Sequence, residues 1–201
     1  MMRFANIPQL LSLPALNGMN QRQLQYANKV LVNGINVAYK QAKAGGPAFN
    51  RWFGGMLAPR AIIRENMHRM KTFANGTATL TFILKTVSPS EAYAWSQGGR
   101  SIYGQYILNV GSDFGNTHSD VVLVNNHAGG EIIRLVAHEL CHLVFGANIH
   151  PPAPAAYSGP NPKGGEWYGS DALDLVMNVD QTWAAWNAEN YAFFIEACSV
   201  W

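Results

Sequence analysis

The feature that most constrains the fold is the apolar run over residues 131–145, which contains the pentapeptide H-E-L-C-H at His138–His142. The run is apolar around most of its helical circumference, which predicts a buried helix over residues 132–145. Histidines four residues apart lie one turn apart on one face, so their imidazoles can converge on one cation. Two histidines and a glutamate in a buried helix are costly unless something pairs with them. The run therefore predicts a buried helix that holds a metal ion.

A zinc ion suits this donor set. His138 and His142 would bind it, and Glu139 could take a proton from a water held by the metal. The alternative is a helix that carries two surface histidines by chance. A catalytic zinc usually has a third protein ligand. His150 stands eight residues after His142, which does not fit the peptidases whose third histidine follows after six, so the remaining candidates are oxygen ligands: Glu166, Asp171, Asp174 and Glu189.

Length and composition indicate one folded domain over residues 1–201, with residues 1–20 as a candidate flexible N-terminal segment. The chain is 48% hydrophobic and only 13% charged, which excludes a disordered chain. No apolar stretch reaches the length of a membrane-spanning helix, and we expect no membrane partner. The N-terminus is a poor secretory signal, so the localisation stays open: the chain is already mature, stays inside the cell, or leaves by a specialised route that needs no cleaved signal.

Two cysteines, Cys141 and Cys198, cannot build a disulfide framework. We interpret Cys141 as a small buried residue of the helix, and we do not expect the two thiols to pair.

The charge is distributed unevenly along the chain. Residues 1–130 carry 12 basic and 4 acidic side chains, whereas residues 131–201 carry 2 basic and 8 acidic side chains. An acidic environment suits a metal cation and a basic substrate side chain. The basic residues form no cluster typical of nucleic-acid binding, so we expect no nucleic-acid partner.

Periodicity predicts further elements. Helices are expected over residues 21–44, 61–73, 171–176 and 183–197, and strands over 77–87, 102–110 and 121–124. Helices, a small sheet and then the helix at 132–145 predict an α+β fold. The strand before that helix could offer an edge to an extended peptide.

Two C-terminal segments resemble a known family. Residues 165–172 read GEWYGSDA and residues 187–194 read NAENYAFF. Together with HExxH they resemble the aspzincins, the deuterolysin and peptidyl-Lys metalloendopeptidase family, which show GT-D-x-x-Y-G and then N-A-D-x-Y/H-x-x-F. Arg51–Gly54 (RWFG), followed by Arg60, is similar to the N-terminal part of that family. The resemblance covers residues 20–197 and implies a zincin-like metallopeptidase with N-terminal helices, a small, mostly antiparallel sheet, an HExxH active-site helix and a helical C-terminal part.

The resemblance also implies roles for residues. His138 and His142 bind one catalytic Zn²⁺, Glu139 is the general base, and Tyr168 stabilises the oxyanion. The family's third ligand is an aspartate three residues before the Tyr-Gly pair, but this chain has Gly165 there. We favour Glu166, the nearest acid, as the third metal ligand.

Two further acids keep more than one interpretation. Asp171 could be a metal ligand, a substrate-binding residue or the N-cap of the following helix. Glu189 aligns with the acid of the Asn-Ala-Asp element. It could ligate the metal, orient a zinc-binding histidine from outside the coordination sphere, or receive a basic side chain of the substrate.

The predicted function is a zinc-dependent endopeptidase that acts on a protein or peptide substrate and prefers Lys or Arg at P1′. We expect it to work as a monomer. Two alternatives remain open. One keeps the zinc in an exported toxin-type protease or an amidase of cell-wall peptides. The other is a catalytically inactive zincin-like binding domain, which the missing family aspartate favours and the presence of Glu139 opposes.

Overall fold

The structure is a computed structural model that describes residues 1–13, 16, 18–55, 59–85, 94–96, 105–111, 114, 128–145, 171–179 and 181–200. Along these ranges a first strand is followed by a group of helices, a group of strands and a second group of helices, which agrees with a mixed helix-and-strand fold. In chain order the elements are β1 (Arg3–Ala5), α1 (Ile7–Leu10), α2 (Gln21–Ala44), α3 (Pro47–Phe53), α4 (Arg60–Asn75), β2 (Thr79–Leu84), β3 (Ala94–Ser96), β4 (Gln105–Val110), α5 (Ala128–Phe145), α6 (Asp171–Asp174), a π-helical turn (Leu175–Val179), α7 (Gln181–Ala184) and α8 (Ala188–Ala197).

Local interactions set the start and the end of helix α2. Asn20 caps it: its Oδ1 accepts hydrogen bonds from the backbone N–H groups of Arg22 at 3.0 Å and Gln23 at 3.1 Å. The Gln23 side chain accepts from the Asn20 backbone N–H at 2.8 Å, which completes a capping box. Gly45 ends the helix at φ 73°, a conformation that glycine adopts without steric cost. The predicted bounds of 21–44 are those of the structure.

The four strands that the structure describes form one sheet in the order β1-β2-β4-β3. β1 pairs with β2 in parallel, β2 pairs with β4 in parallel, and β3 is antiparallel to its neighbour β4. The prediction of a mostly antiparallel sheet is therefore wrong. Helices α1–α4 connect β1 to β2. After β2 the chain forms β3 at the outer edge of the sheet and then β4, which lies between β2 and β3. Both routes give parallel pairs, as crossover connections do.

The N-terminal segment belongs to this architecture. Met2 and Leu10 are fully buried, and β1 pairs with β2 from Arg3 to Ala5. The Met2 backbone N–H donates to the Ala74 carbonyl at 2.8 Å, and the Asn28 side chain donates to the Met2 carbonyl at 2.9 Å. The described residues at the start of the segment expected to be flexible are thus held by the sheet and by α2.

Helix α8 is the centre of the C-terminal part. It packs against α5, α2 and α3, and each of its residues from Ala188 to Glu196 is buried. Its aromatic side chains interlock with α3: Trp52 stacks on Phe193 with ring centroids 4.4 Å apart, and Phe53 meets Phe194 edge-on at 5.4 Å. This packing fixes α8 beside α5.

The other predicted elements are found with shifted bounds. The helix expected over 183–197 is divided into α7 and α8, and the one expected over 61–73 extends to Arg60–Asn75. β2 and β4 lie within the two predicted strands that the structure describes, while the expected strand 121–124 lies outside the described residues. Within the described part of the chain, no helix is both long and apolar enough to cross a membrane.

Candidate metal centre

Helix α5 brings the HExxH side chains together as its periodicity predicts. His138 and Glu139 are buried and His142 is half-buried. The Nε2 atoms of His138 and His142 lie 3.1 Å apart, and the candidate ligand atoms of the three residues all lie within 4.8 Å of one another. Two imidazole nitrogens and a carboxylate at such spacing form a group that could hold a metal ion.

Glu189 on α8 orients His138 from the side opposite His142. Its Oε2 lies 2.8 Å from His138 Nδ1, and its carboxylate is 1% exposed. The other carboxylate oxygen forms a salt bridge with Arg134. A carboxylate paired with a guanidinium only accepts hydrogen bonds, so Nδ1 of His138 carries the hydrogen and donates it. In the neutral imidazole, Nε2 is then the atom with the lone pair, and it faces His142.

Of the roles that the sequence left open for Glu189, the structure favours orientation of His138. Both carboxylate oxygens already have partners within the protein, and the side chain is buried between α5 and α8. A carboxylate held in this way is not available to a basic side chain of a substrate. It also lies outside the group of candidate ligand atoms that His138, Glu139 and His142 form.

Arg134 is the residue that the sequence analysis missed. It stands one turn before His138 on α5, is 5% exposed, and reaches across to Glu189. A buried arginine needs an acidic partner. An arginine inside the apolar run, four residues before the first histidine, was a usable signal. Its partner, 55 residues further along the chain, could not be identified from that pattern.

A buried polar network fixes the start of α8, where Glu189 lies. Asn190 donates to the carbonyls of Trp52 at 2.8 Å and Ala172 at 2.9 Å, and it accepts from Asn187 at 2.6 Å. The Tyr191 hydroxyl donates to the Ala185 carbonyl at 2.9 Å, and burial raises the pKa of this phenol above its usual value. These bonds tie α8 to α3 and α6, so Glu189 is presented by a rigid helix.

The remaining predicted site residues are not assembled in the described structure. Asp171 is the first residue of α6 and is exposed, and it is not part of the group around His138. Glu166, Tyr168 and His150 lie outside the described residues, as does the side chain of Asp174. The predicted third ligand and the predicted oxyanion group therefore stay predictions.

Both cysteines are buried, which confirms the expected burial of Cys141. The Cys141 thiol donates to the Ala137 carbonyl one turn earlier in α5, at 3.2 Å. Cys141 thus acts as a small residue of the helix interior.

Comparison with protein-family models and with curated protein sequences gives no match for this chain. The site is therefore interpreted from its own geometry. That geometry comprises two imidazole nitrogens that face each other, one from a buried and one from a half-buried histidine, a carboxylate from the same helix beside them, and a second carboxylate that orients the first histidine. The arrangement can bind a cation and hold a proton acceptor next to it.

Proposed function

We propose that this protein is a zinc-dependent endopeptidase with a zincin-like fold. The observation that carries the proposal is the pair of Nε2 atoms from His138 and His142, 3.1 Å apart, with Glu189 on the far nitrogen of His138. A carboxylate–histidine–metal arrangement of this kind is common at zinc sites.

The donor set fits zinc. Zinc–nitrogen distances of about 2.0–2.1 Å in a tetrahedral site imply that two ligand nitrogens lie roughly 3.3 Å apart. The separation of 3.1 Å between the two Nε2 atoms agrees with that value to within a few tenths of an ångström. Magnesium and calcium favour oxygen ligands, so two imidazoles select against them. Glu166 remains our choice for the third ligand.

A zinc ion held by His138 and His142 would supply Lewis-acid chemistry: it would make the attacking water more acidic and would polarise the substrate carbonyl. Side chains of the protein move the proton and stabilise the developing charge. Glu139 accepts the proton of the attacking water and passes it to the amine that leaves. Tyr168, from the segment that resembles the aspzincins, donates a hydrogen bond to the carbonyl oxygen as negative charge develops there. His138 and His142 would hold the metal ion beside Glu139 and the substrate carbonyl.

The sheet supports a peptide as substrate. β3 lies at one end of the strand order, and no strand pairs with its outer edge among the described residues. It also packs against α5, the helix that carries the two histidines. An extended peptide can add to such an edge through backbone hydrogen bonds.

A preference for Lys or Arg at P1′ rests on the acidic balance of residues 131–201 rather than on Glu189. Cleavage of a peptide library tests that preference.

The first test is the metal content per chain, measured by elemental analysis on the wild type and on Glu166→Ala. We expect one zinc in the wild type and a large loss in the variant. One zinc in both proteins would move the third ligand to another acid. No zinc in the wild type, even after incubation with excess metal, would overturn the hydrolase and leave a binding domain.

The second test separates catalysis from metal binding. Glu139→Gln is expected to keep the zinc and to lower peptidase activity by roughly 10²–10⁴-fold, the usual contribution of general acid–base catalysis. Glu65→Gln, on the exposed face of α4, is the matched control and should have wild-type activity. Equal activity in Glu139→Gln and the wild type would contradict the role of Glu139.

A further inference from the structure

We propose that Arg134 is a positioning residue for the metal site, acting on His138 through Glu189. The inference rests on the metal site of the proposed function and adds a residue that neither HExxH nor the aspzincin-like segments include. It makes the orientation of the first histidine depend on a buried salt bridge between α5 and α8.

The contacts form a continuous chain. The Arg134 guanidinium pairs with one oxygen of Glu189, and the other oxygen accepts from His138 Nδ1 at 2.8 Å. Arg134 and His138 are four residues apart on α5, so both face α8 one turn apart. Because each of the two carboxylate oxygens has its own partner, the plane of the carboxylate is defined by both.

The guanidinium itself is held by the core. It lies over the ring of Phe193, 5.3 Å from the centroid, and Phe193 is one turn after Glu189 on α8. The Phe193 ring in turn stacks on Trp52 of α3, with an interplanar angle of 5°. Arg134 is thus held by an aromatic ring and a carboxylate that both belong to α8. The orientation of His138 therefore depends on how α8 is placed beside α5.

Rotation of the Glu189 carboxylate would release the imidazole. If the second oxygen had no guanidinium to bind, the carboxylate could turn and the hydrogen bond to Nδ1 would be lost for part of the time. His138 would then sample the tautomer with hydrogen on Nε2, the atom needed as a metal ligand. Loss of groups that orient a ligand histidine typically costs roughly 10–100-fold in metal affinity.

The experiment measures zinc affinity, by competition with a chromogenic chelator, and the tautomer of His138 in the metal-free protein, by ¹⁵N NMR of the imidazole. Arg134→Lys keeps the buried charge but loses the planar fork that matches a carboxylate. We expect it to fold, to bind zinc more weakly than the wild type and to lose part of the Nδ1–H tautomer. Wild-type affinity together with the wild-type tautomer in this variant would overturn the proposal.

A double variant tests whether the Arg134–Glu189 pair as a whole orients His138 or only balances charge. Arg134→Met with Glu189→Gln removes both buried charges, a replacement that proteins tolerate better than loss of one partner. We expect a folded protein whose zinc affinity is still roughly 10-fold or more below the wild type. Wild-type affinity in the folded double variant would mean that the pair only balances charge, which would refute the proposal.

The exposed pair Arg69 and Glu65 on α4, with a nitrogen–oxygen distance of 3.0 Å, provides the matched control. Arg69→Lys, and Arg69→Met with Glu65→Gln, should leave affinity and tautomer unchanged. The NMR readout needs no metal. A wild type that binds no zinc would therefore defeat the proposed function, while the tautomer in Arg134→Lys would still decide whether Arg134 orients His138.

Discussion

Burial changes the chemistry of single side chains on and beside α8. Cys198 caps this helix, is 5% exposed, and has its pKa raised by burial from 9.0 to about 12. Burial also raises the pKa of the Tyr191 hydroxyl, which accepts a hydrogen bond from Asn66 of α4 at 3.0 Å. Both groups are therefore neutral in the folded protein at pH values where the unfolded chain ionises them.

The first prediction concerns the alkaline side of the stability profile. The folded-state pKa of Cys198 lies above its value in the unfolded chain, so its contribution is fully present below about pH 9 and is lost as the pH rises towards 12. Over that window, the free energy of unfolding should fall by up to about 1.4 kcal/mol per pH unit because of this thiol. Urea unfolding of the wild type and Cys198→Ala between pH 8 and about pH 11 measures the difference.

The control for this prediction is the reactivity of the thiol. At pH 8 a thiol reagent should label Cys198 slowly in the native protein and rapidly in urea, since the thiolate is the reactive form. Identical pH profiles for the wild type and Cys198→Ala would contradict the assignment of the alkaline loss to Cys198.

Where two helices pack closely, only a residue with a small side chain, or none, fits between them. Gly34 lies in the middle of α2, where the end of α8 passes directly over it. A Cβ atom at Gly34 would lie 2.0 Å from Ser199 Oγ and 3.0 Å from the Ile195 carbonyl oxygen. The glycine is therefore required by packing between α2 and the C-terminus of α8, not by backbone conformation.

The second prediction follows from this contact. Helix propensity alone would make Gly34→Ala stabilising by about 1 kcal/mol. Overpacking costs about 1–3 kcal/mol, and here the Cβ atom would displace the Ser199 hydroxyl and make a tight contact with a backbone carbonyl oxygen that cannot rotate away. We expect a net loss of about 1–2 kcal/mol in the free energy of unfolding, measured by urea unfolding.

The neighbouring position provides the control. Asn33 is exposed on the same helix, so Asn33→Ala should change the stability by no more than about 0.5 kcal/mol, in the stabilising direction. Adding Ser199→Ala to Gly34→Ala should recover part of the loss. A Gly34→Ala protein more stable than the wild type would show that the two helices can separate at no cost.

At the scale of the whole molecule, the candidate metal centre joins distant parts of the chain. α5 carries the histidines, α8 carries Glu189, and Asn190 ties α8 to the carbonyls of Trp52 and Ala172. One cluster of buried residues extends from Met2 to Cys198. A ligand that binds at this centre therefore stabilises the fold as a unit, because the unfolded chain does not assemble the site.

The third prediction is a zinc-dependent rise of the melting temperature. At a free zinc concentration 100 times the dissociation constant, binding should add about 2.7 kcal/mol, and that shifts the midpoint by roughly 5–10 °C in a protein of this size. Calorimetry with zinc and with magnesium tests it, since magnesium prefers oxygen ligands and should give no shift. His142→Ala should lose the zinc effect; an equal shift in that variant would place the bound zinc elsewhere.

Local interactions were predictable from residues alone. The bounds of α2 follow from a capping box and a terminal glycine, and the convergence of His138 and His142 follows from 3.6 residues per turn. Such features depend on residues a few positions apart, so the sequence by itself determined the buried HExxH helix and the group of side chains on it that could hold a metal ion.

Only the tertiary structure decided the rest. The direction of the strands depends on the route of the chain between them, and β3 takes an outer position that its own three residues do not encode. The partners of Glu189 stand 51 and 55 residues before it, and the neighbours of Gly34 lie at the other end of the chain. Contacts at such separations arise from how the helices pack, because side chains far apart in sequence meet only after the elements that carry them have docked.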